Sequence, residues 1–148
     1  KDKKFLKTIS AYAVGNHRHT PEINQELSKA SNQKINVHFT PHIIPVYRGI
    51  LSTIYLDVVK NYNAKKIYNF LKSYYKNSFF VKIAKYNQSI GTGDVMNTNY
   101  CKISVCENRK KNRIIIISAI DNLIKGGSGQ AVQNMNLAFK MNETLGLT

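Results

Sequence analysis

The sequence predicts an α+β fold in which helices cover one face of a mixed, largely antiparallel sheet. Six short segments rich in β-branched and aromatic residues alternate with three segments of helical apolar spacing, in the order β-α-β-β-α-β-β-β-α. Few of the strands are joined through helices, which favours antiparallel neighbours. No repeat or low-complexity linker interrupts the 148 residues, so we expect one domain over 1–148.

The first third of the chain predicts a strand, a helix and a second strand. "TISAYAV" (8–14) predicts a short strand. Thr20 is a suitable N-cap and Pro21 suits the first helical position, so we expect a helix that runs to about Ala30. "INVHFT" (35–40) alternates apolar and polar residues, which predicts a half-buried strand.

The middle of the chain predicts two further strands on either side of a helix. "PHIIPVYRG" (41–49) contains two prolines and a glycine, so it is not expected to form a regular central strand. "ILSTIYLDVV" (50–59) predicts a strand, and "NAKKIYNFLKSYYKN" (63–77) carries the apolar stripe of an amphipathic helix. "FFVKIAKY" (79–86) predicts a strand, and the polar segment 87–98 predicts a long loop.

The last third predicts a hairpin and a helix. "YCKISV" and "RIIIISAI" flank "CENRKKN", which predicts two strands joined by a charged turn. Cys101 and Cys106 are five residues apart in one predicted strand, so they should lie on opposite faces and form neither a disulfide nor a shared metal site. A glycine-rich turn then leads into a helix of about twelve residues. The apolar residues on one side of that helix are Ala131, Met135 and Ala138 or Phe139.

The charge of the chain is its unusual bulk property. Lys and Arg number 22 against 8 Asp and Glu, a formal net charge of +14. Such a charge is compatible with a nucleic-acid surface, with a solvated lysine-rich face, or with anionic small substrates. No run of about 18 apolar residues predicts a membrane span, and the first ten residues lack the apolar core of a signal peptide. The two cysteines do not indicate a disulfide framework, so we expect a reducing, cytoplasmic setting.

The motif "GNHRHTPEI" (15–23) contains the main candidates for chemistry. His17 and His19 are two residues apart, and together with His38 and His42 they could form a zinc site. Alternatively, His19 could act as an acid–base group oriented by Glu22 one helical turn later. The third possibility is that these residues are only a polar turn before a helix.

Two further segments could bind anions. Arg48 follows a proline-braced segment and could contact a carboxylate or a phosphate, or it could form an ordinary salt bridge. "KGGSGQ" (125–130) opens a predicted helix, where exposed N–H groups could bind phosphate, or its glycines could serve tight packing. The sequence contains neither a Walker motif nor G-x-G-x-x-G, so we expect no dinucleotide-binding fold within this chain.

Four segments in order resemble one family. They are "AYAVGNHRHTPEINQEL", "VHFTPHIIPVYRGILSTIYL", "NTNYCKISV" and "IDNLIKGGSGQAVQNMNLAF…NETLGL". Together they resemble the N-acetyl-gamma-glutamyl-phosphate reductases, NADPH-dependent arginine-biosynthesis enzymes of the semialdehyde dehydrogenase group. The resemblance implies a C-terminal catalytic and dimerisation domain with a glyceraldehyde-3-phosphate dehydrogenase-like fold. It also implies that the N-terminal Rossmann domain and the nucleophilic cysteine lie outside this chain, which would then be inactive alone.

The resemblance also implies roles for individual residues. His19 would be the general base and acid, Glu22 would orient it, and His17 and Tyr12 would line the substrate pocket. Arg48 is the candidate ligand of an anionic substrate group. The candidate cofactor-binding residues are Lys125, Gly126, Gly129 and Asn134. The expected partners are a small acyl phosphate, NADPH bound mainly by the other domain, and further copies of the chain in a dimer or tetramer, without nucleic acid or membrane. The alternative is a standalone nucleic-acid-binding module.

Overall fold

The computed structural model describes residues 8–147, in two compact units divided between Tyr47 and Arg48. Within the described residues there are six strands and three α-helices in the predicted order, which confirms the α+β class. The elements are β1 (Ser10–Ala11), α1 (Thr20–Ser31), β2 (His42–Ile43), β3 (Ile50–Asp57), α2 (Ala64–Tyr74), β4 (Val81–Ile83), β5 (Cys101–Glu107), β6 (Arg113–Ile120) and α3 (Gly129–Ala138). No helix within residues 8–147 combines the length and the apolar character needed to cross a bilayer.

The first unit contains α1 and a short two-stranded sheet. Strands β1 and β2 pair antiparallel, with Ser10 opposite Ile43. The strand predicted over 8–14 is much shorter than expected. Its ladder ends at Tyr12, whose N–H donates to Pro41, because Ala13 adopts a positive φ of 46° and turns the chain away.

Helix α1 begins one residue earlier than a Thr20 N-cap would allow. The N-cap is His19, in an αR conformation and without a side-chain capping bond, so the predicted Thr20 cap is wrong. The Thr20 N–H donates instead to the carbonyl of His17, at 2.9 Å, which closes a turn just before the helix. Pro21 occupies the first turn as predicted, and the helix ends at Ser31, followed by Asn32 in the left-handed region.

The strand predicted over 35–40 is wrong, although the alternating burial behind it is correct. Ile35, Val37 and Phe39 are half-buried and the residues between them are exposed. Backbone N–H groups of this segment bond to side chains of α1 instead of another strand. The bonds are Ile35 N to Ser28 Oγ (2.8 Å) and Val37 N to Asn24 Oδ1 (2.8 Å).

The second unit is built on a four-stranded sheet with the order β3-β6-β5-β4. Strands β3 and β5 pair antiparallel with β6, and only β4 is parallel to its neighbour β5. The sheet is therefore mixed and largely antiparallel, as predicted. The strand expected over 79–86 is only three residues long, and the expected strand 50–59 ends at Asp57.

Helix α2 covers one face of this sheet. Asn63 caps the helix, its Oδ1 accepting from the Lys66 N–H at 2.9 Å. Ala64 packs with Val105 of β5 and Ile114 of β6, and Ile67, Tyr68 and Leu71 extend this apolar core. Burial of each large apolar side chain in such a core stabilises the fold by roughly 1.5–3 kcal/mol.

The loop 87–98 packs against the opposite face of β5. The hydroxyl of Ser104, which is fully buried, donates to the carbonyl of Gln88, and the Glu107 N–H donates to Asn87 at 2.8 Å. Cys101 and Cys106 are free thiols with different neighbours, Ser118 and Ser104, at 3.5 Å each. Because Cys101 is opposite Ile120 and Cys106 is opposite Ile115, the two thiols lie on opposite faces, as predicted.

Candidate functional site

The histidine motif lies in the turns between β1 and α1. His19 is the N-cap of the helix and its carbonyl accepts from the Ile23 N–H at 2.9 Å. Its ring is exposed, whereas the ring of His17 is half-buried. The fold therefore presents one imidazole to solvent at the start of a helix and packs the other against it.

Three aromatic contacts surround the His17 ring. The ring centroids of Tyr12, His19 and Phe39 lie 5.4, 4.8 and 5.2 Å from that of His17, and each pair is edge-to-face. Tyr12, His17 and His19 were predicted to share a site, and the structure brings these three together. We call Tyr12, His17, His19 and Phe39 the histidine cluster.

A hydrogen bond also fixes the tautomer of the His17 ring. The backbone N–H of His19 points to His17 Nδ1, at 3.2 Å. A backbone N–H can only donate, so Nδ1 must be the acceptor, and the proton of the neutral ring then sits on Nε2. His17 thus has one defined tautomer in this arrangement, and that tautomer is set by the residue it packs against.

Glu22 does not form the expected pair with His19. Its carboxylate is exposed on the first turn of α1 and makes no hydrogen bond or ion pair with any residue of the described chain. It lies at the positive end of the helix, where a negative charge is favourable. His17, rather than Glu22, therefore contacts the His19 ring in this structure.

No metal centre is formed by the histidines that the structure describes. Across residues 8–147, no group of three or more His, Cys, Asp or Glu side chains has an arrangement that could hold a metal ion. His42 Nδ1 lies 3.1 Å from the Thr40 carbonyl.

Arg48 is engaged in a salt bridge within the second unit. Its Nε and one terminal nitrogen lie 2.6 and 2.5 Å from Oδ2 of Asp121, which is fully buried. Burial alone would raise the pKa of Asp121, but the Asn97 N–H, Arg48 and the Leu123 and Ile124 N–H groups hold it below its usual value. Of the two roles considered for Arg48, anion binding and a salt bridge, the structure shows the salt bridge.

The glycine-rich turn does not present the expected free N–H groups. Residues Ile124–Ser128 form a turn of π-helix, kinked at Gly127, that leads into α3, and the amides of residues 126, 128 and 129 each donate to the carbonyl five residues earlier. Exposed N–H groups were one of the two interpretations of this turn, and these three amides are not free. The donor–acceptor pairs are Gly126 N to Asp121 O (2.9 Å), Ser128 N to Leu123 O (3.0 Å) and Gly129 N to Ile124 O.

The glycines of this turn serve close packing. A Cβ placed on Gly129 would lie 2.5 Å from Asn99 Oδ1 and 2.6 Å from a methyl of Ile124. One placed on Gly126 would lie 3.2 Å from Ile120. The packing explanation of the turn is therefore supported, since no side chain fits at Gly129 without movement of its neighbours.

Lys125 belongs to a polar network around Gln133. Its ammonium donates to Gln133 Oε1 at 2.6 Å, which also accepts from Asn99, and Gln133 Nε2 donates to Glu143 at 2.7 Å. Burial lowers the pKa of Lys125. Asn134 is exposed and its Oδ1 accepts from Gln130 at 2.8 Å. Three amides of the turn are thus bonded within the chain, whereas the Lys125 ammonium uses one of its three N–H groups on Gln133.

A cavity of about 460 Å³ lies beside the N-terminus of α2. Among its lining residues, the Tyr86 hydroxyl donates to Glu107 at 2.7 Å, and Arg113 pairs with Asp57, which lies outside the lining. Burial and the Glu107 carboxylate raise the pKa of Tyr86 to about 12. The Lys65 ammonium lies over the Tyr86 ring, 4.5 Å from its centroid.

Two residues of these sites were not anticipated. Phe39 was expected only as an apolar strand residue, and the alternation of 35–40 already indicated that it points inward. Asp121 gave no signal, because its partner Arg48 is 73 residues away in the sequence. Long-range pairing of this kind cannot be read from spacing.

Comparison with known proteins identifies relatives of the chain. Residues 2–122 match the family described as "Semialdehyde dehydrogenase, dimerisation domain". Proteins named N-acetyl-gamma-glutamyl-phosphate reductase from Thermoanaerobacter pseudethanolicus and Staphylococcus aureus (strain USA300) are 47% and 44% identical to it over 139 residues. Each match covers 94% of this chain but only 40% of the relative, so the chain spans about two fifths of their length.

A solved structure confirms the similarity of fold. Aspartate semialdehyde dehydrogenase II from Vibrio cholerae superposes with a TM-score of 0.67 at 17% identity, over 91% of this chain and 40% of that one. At this identity the match concerns the fold alone. The resemblance drawn from the sequence motifs is confirmed by the two reductases.

Proposed function

The chain belongs to the semialdehyde dehydrogenase dimerisation-domain family, and from that membership we propose that it is the C-terminal catalytic and self-association domain of an N-acetyl-gamma-glutamyl-phosphate reductase. The full protein would convert N-acetyl-gamma-glutamyl phosphate to N-acetylglutamate semialdehyde and phosphate, in the cytoplasm, for arginine biosynthesis. The identity of 44–47% to two proteins of that name supports this substrate. No match supports the nucleic-acid-binding alternative.

In the proposed reaction, His19 is the acid–base residue. It would take the proton of a cysteine thiol supplied by the rest of the protein, and later return a proton to the oxygen of the intermediate. An imidazole suits both steps because a ring nitrogen can accept a proton and later donate it. The observation that carries this assignment is the exposed His19 ring at the start of α1, held against His17.

The cysteines of this chain are not proposed as nucleophiles. Cys101 and Cys106 lie within β5, partly buried and with hydroxyl groups as neighbours. A reactive thiol needs an exposed, electropositive setting. We therefore expect the 148-residue chain to be inactive alone.

The cofactor NADPH would supply the hydride. We propose that the cofactor is bound mainly by the part of the reductase outside this chain, which agrees with the internal hydrogen bonds of three amides in the glycine-rich turn. Lys125, Gly126, Gly129 and Asn134 stay predictions as cofactor contacts. Arg48 likewise stays a prediction as a substrate ligand, and Glu22 as the residue that orients His19.

The acid–base role predicts the effect of one substitution. In the full-length reductase, His19→Asn should lower kcat by roughly 10²–10⁴, the usual contribution of a general acid–base group. The measurement is steady-state reduction of N-acetyl-gamma-glutamyl phosphate, followed by NADPH absorbance. His38→Asn is a matched control, because His38 is exposed and lies outside the histidine cluster. Turnover of His19→Asn close to that of the control would rule out the assignment.

A further inference from the structure

Phe39 is the least explained member of the histidine cluster. Its ring meets His17 edge-to-face at 5.2 Å, on a segment with no strand partner. Apolar packing alone would require no specific ring geometry here. The contact with an imidazole suggests that Phe39 acts on the site through His17.

We propose that Phe39 is a positioning residue for the acid–base step: together with Tyr12 it clamps the His17 ring, and His17 in turn fixes the orientation of His19. This inference rests on the proposed function of His19. It assigns His17 to the support of His19, whereas the sequence suggested that His17 binds substrate.

The first step of the argument is the contact between the two histidines. The His19 N–H donates to His17 Nδ1, and the rings pack at 4.8 Å with an interplanar angle of 73°. The hydrogen bond holds the His19 backbone against His17, and because Glu22 does not bond to His19, the ring contact with His17 is what restrains the His19 ring among the residues described. Rotation of the His17 ring would break both the hydrogen bond from the His19 N–H and the contact with the His19 ring.

The second step is the restraint on His17 itself. Tyr12 and Phe39 both meet its ring edge-to-face, with interplanar angles of 75° and 73°. Aromatic rings favour edge-to-face and offset-stacked contacts over a face-to-face sandwich, so these pairs are in a favoured geometry. A branched aliphatic side chain at position 39 would fill similar space without the directional preference.

The third step is the rigidity of the segment that carries Phe39. On one side the Val37 N–H donates to Asn24 of α1, and on the other the buried Pro41 accepts from the Tyr12 N–H. The backbone of Phe39 is thus tied both to the helix that His19 caps and to the strand that precedes the cluster. This arrangement suits a support for His17.

The test compares three substitutions in the full-length reductase. Phe39→Leu should lower kcat about 3- to 10-fold with KM unchanged, since an aromatic pair contributes a factor of this size. Phe39→Tyr keeps the aromatic ring and should retain the wild-type kcat. Phe70→Leu is the matched control, because Phe70 stacks on Tyr74 in α2, and should leave both constants unchanged.

A spectroscopic measurement tests the same inference without activity. Long-range ¹H–¹⁵N spectra of the histidine-labelled reductase should show His17 with an unprotonated Nδ1, in wild type and in Phe39→Tyr. In Phe39→Leu the His17 signal should become an average of two tautomers. A protonated Nδ1 in the wild type would overturn the proposal, even if Phe39→Leu failed to fold.

The outcomes separate this inference from the proposed function. Unchanged kcat in Phe39→Leu, beside a large loss in His19→Asn, would overturn the positioning role and leave the acid–base assignment intact. A rise in KM without a fall in kcat would overturn it in favour of substrate binding by His17. An equal loss of kcat in Phe39→Leu and Phe39→Tyr would indicate that Phe39 serves only general packing, which would overturn the proposal.

Discussion

At the scale of single residues, Asp121 has the richest set of contacts outside the histidine cluster. One carboxylate accepts from the Arg48 guanidinium and from three backbone N–H groups, of Asn97, Leu123 and Ile124. It thereby connects the start of the second unit, the end of the loop 87–98 and the turn before α3. A buried carboxylate is tolerated only with such a complete set of donors.

Substitution of Arg48 should therefore lower the stability of the folded protein. Arg48→Met should lower the free energy of unfolding by about 3 kcal/mol, the lower end for a broken buried pair, because the three amide donors remain. Chemical denaturation measures it. Arg113→Met is the matched control: it breaks an exposed pair with Asp57 and should have a much smaller effect. Equal effects of the two substitutions would contradict the importance of burial.

The pKa of Asp121 adds a dependence on pH to this comparison. Since its folded-state pKa lies below the unfolded value of about 3.9, its contribution is fully present above pH 4 and is lost as the pH falls through the folded pKa. Without Arg48 the folded pKa moves up toward the unfolded value. The wild type should therefore lose more stability than Arg48→Met on acidification below pH 4.

At the scale of elements, the sequence predicted kinds and order better than extents. The alternation of 35–40 was correct for burial, yet pairing depends on a partner strand, and here Ser28 and Asn24 take the N–H groups. For α2, the apolar stripe was a local signal, and the helix lies within the range that it predicted. Local periodicity indicates which residues are buried. It does not indicate which distant residues supply their hydrogen-bond partners.

Helix α3 shows a second limit of periodicity. Its buried residues are Gly129, Gln133 and Asn136, whereas Met135 and Phe139 are exposed by 47% and 73%. Two of the buried side chains are polar, and they bond to Asn99 and to the segment 143–145. The buried side of α3 is thus selected by hydrogen bonds, which an apolar count cannot detect.

This packing predicts an unusual response to alanine in a helix. Alanine normally favours a helix over glycine by about 1 kcal/mol. Gly129→Ala should instead destabilise the fold by roughly 1–3 kcal/mol, because the new methyl would overlap Asn99 and Ile124. Thermal or chemical denaturation measures the change. Gly93→Ala, where the added methyl meets nothing within 4 Å, serves as the control and should be nearly neutral.

At the scale of the whole molecule, the most exposed apolar element is the edge strand β3. Ile54, Tyr55 and Leu56 are exposed by 41%, 61% and 41%, although the strand pairs along its full length with β6. Apolar surface of this kind is typical of association sites. The match to a dimerisation domain supports our proposal that copies of the protein associate.

Self-association can be tested at this strand. Tyr55→Asp should shift the full-length protein toward smaller species, because a charge would be buried in the contact between copies. Sedimentation velocity at several concentrations measures it. Tyr62→Asp is the control, since Tyr62 is similarly exposed but lies outside the sheet. An unchanged distribution in Tyr55→Asp would remove β3 from the interface.

The pairing of β3 with β6 also determines how the chain is assembled during synthesis. Ile50 pairs with Ile120, so the ribosome adds 70 residues after Ile50 to complete this pair. At about 5–20 residues per second, β3 waits roughly 4–14 s for its neighbour. The β5–β6 hairpin, with five residues between its strands, can close as soon as it emerges. During synthesis the apolar β3 strand therefore needs protection against aggregation for longer than the β5–β6 hairpin does.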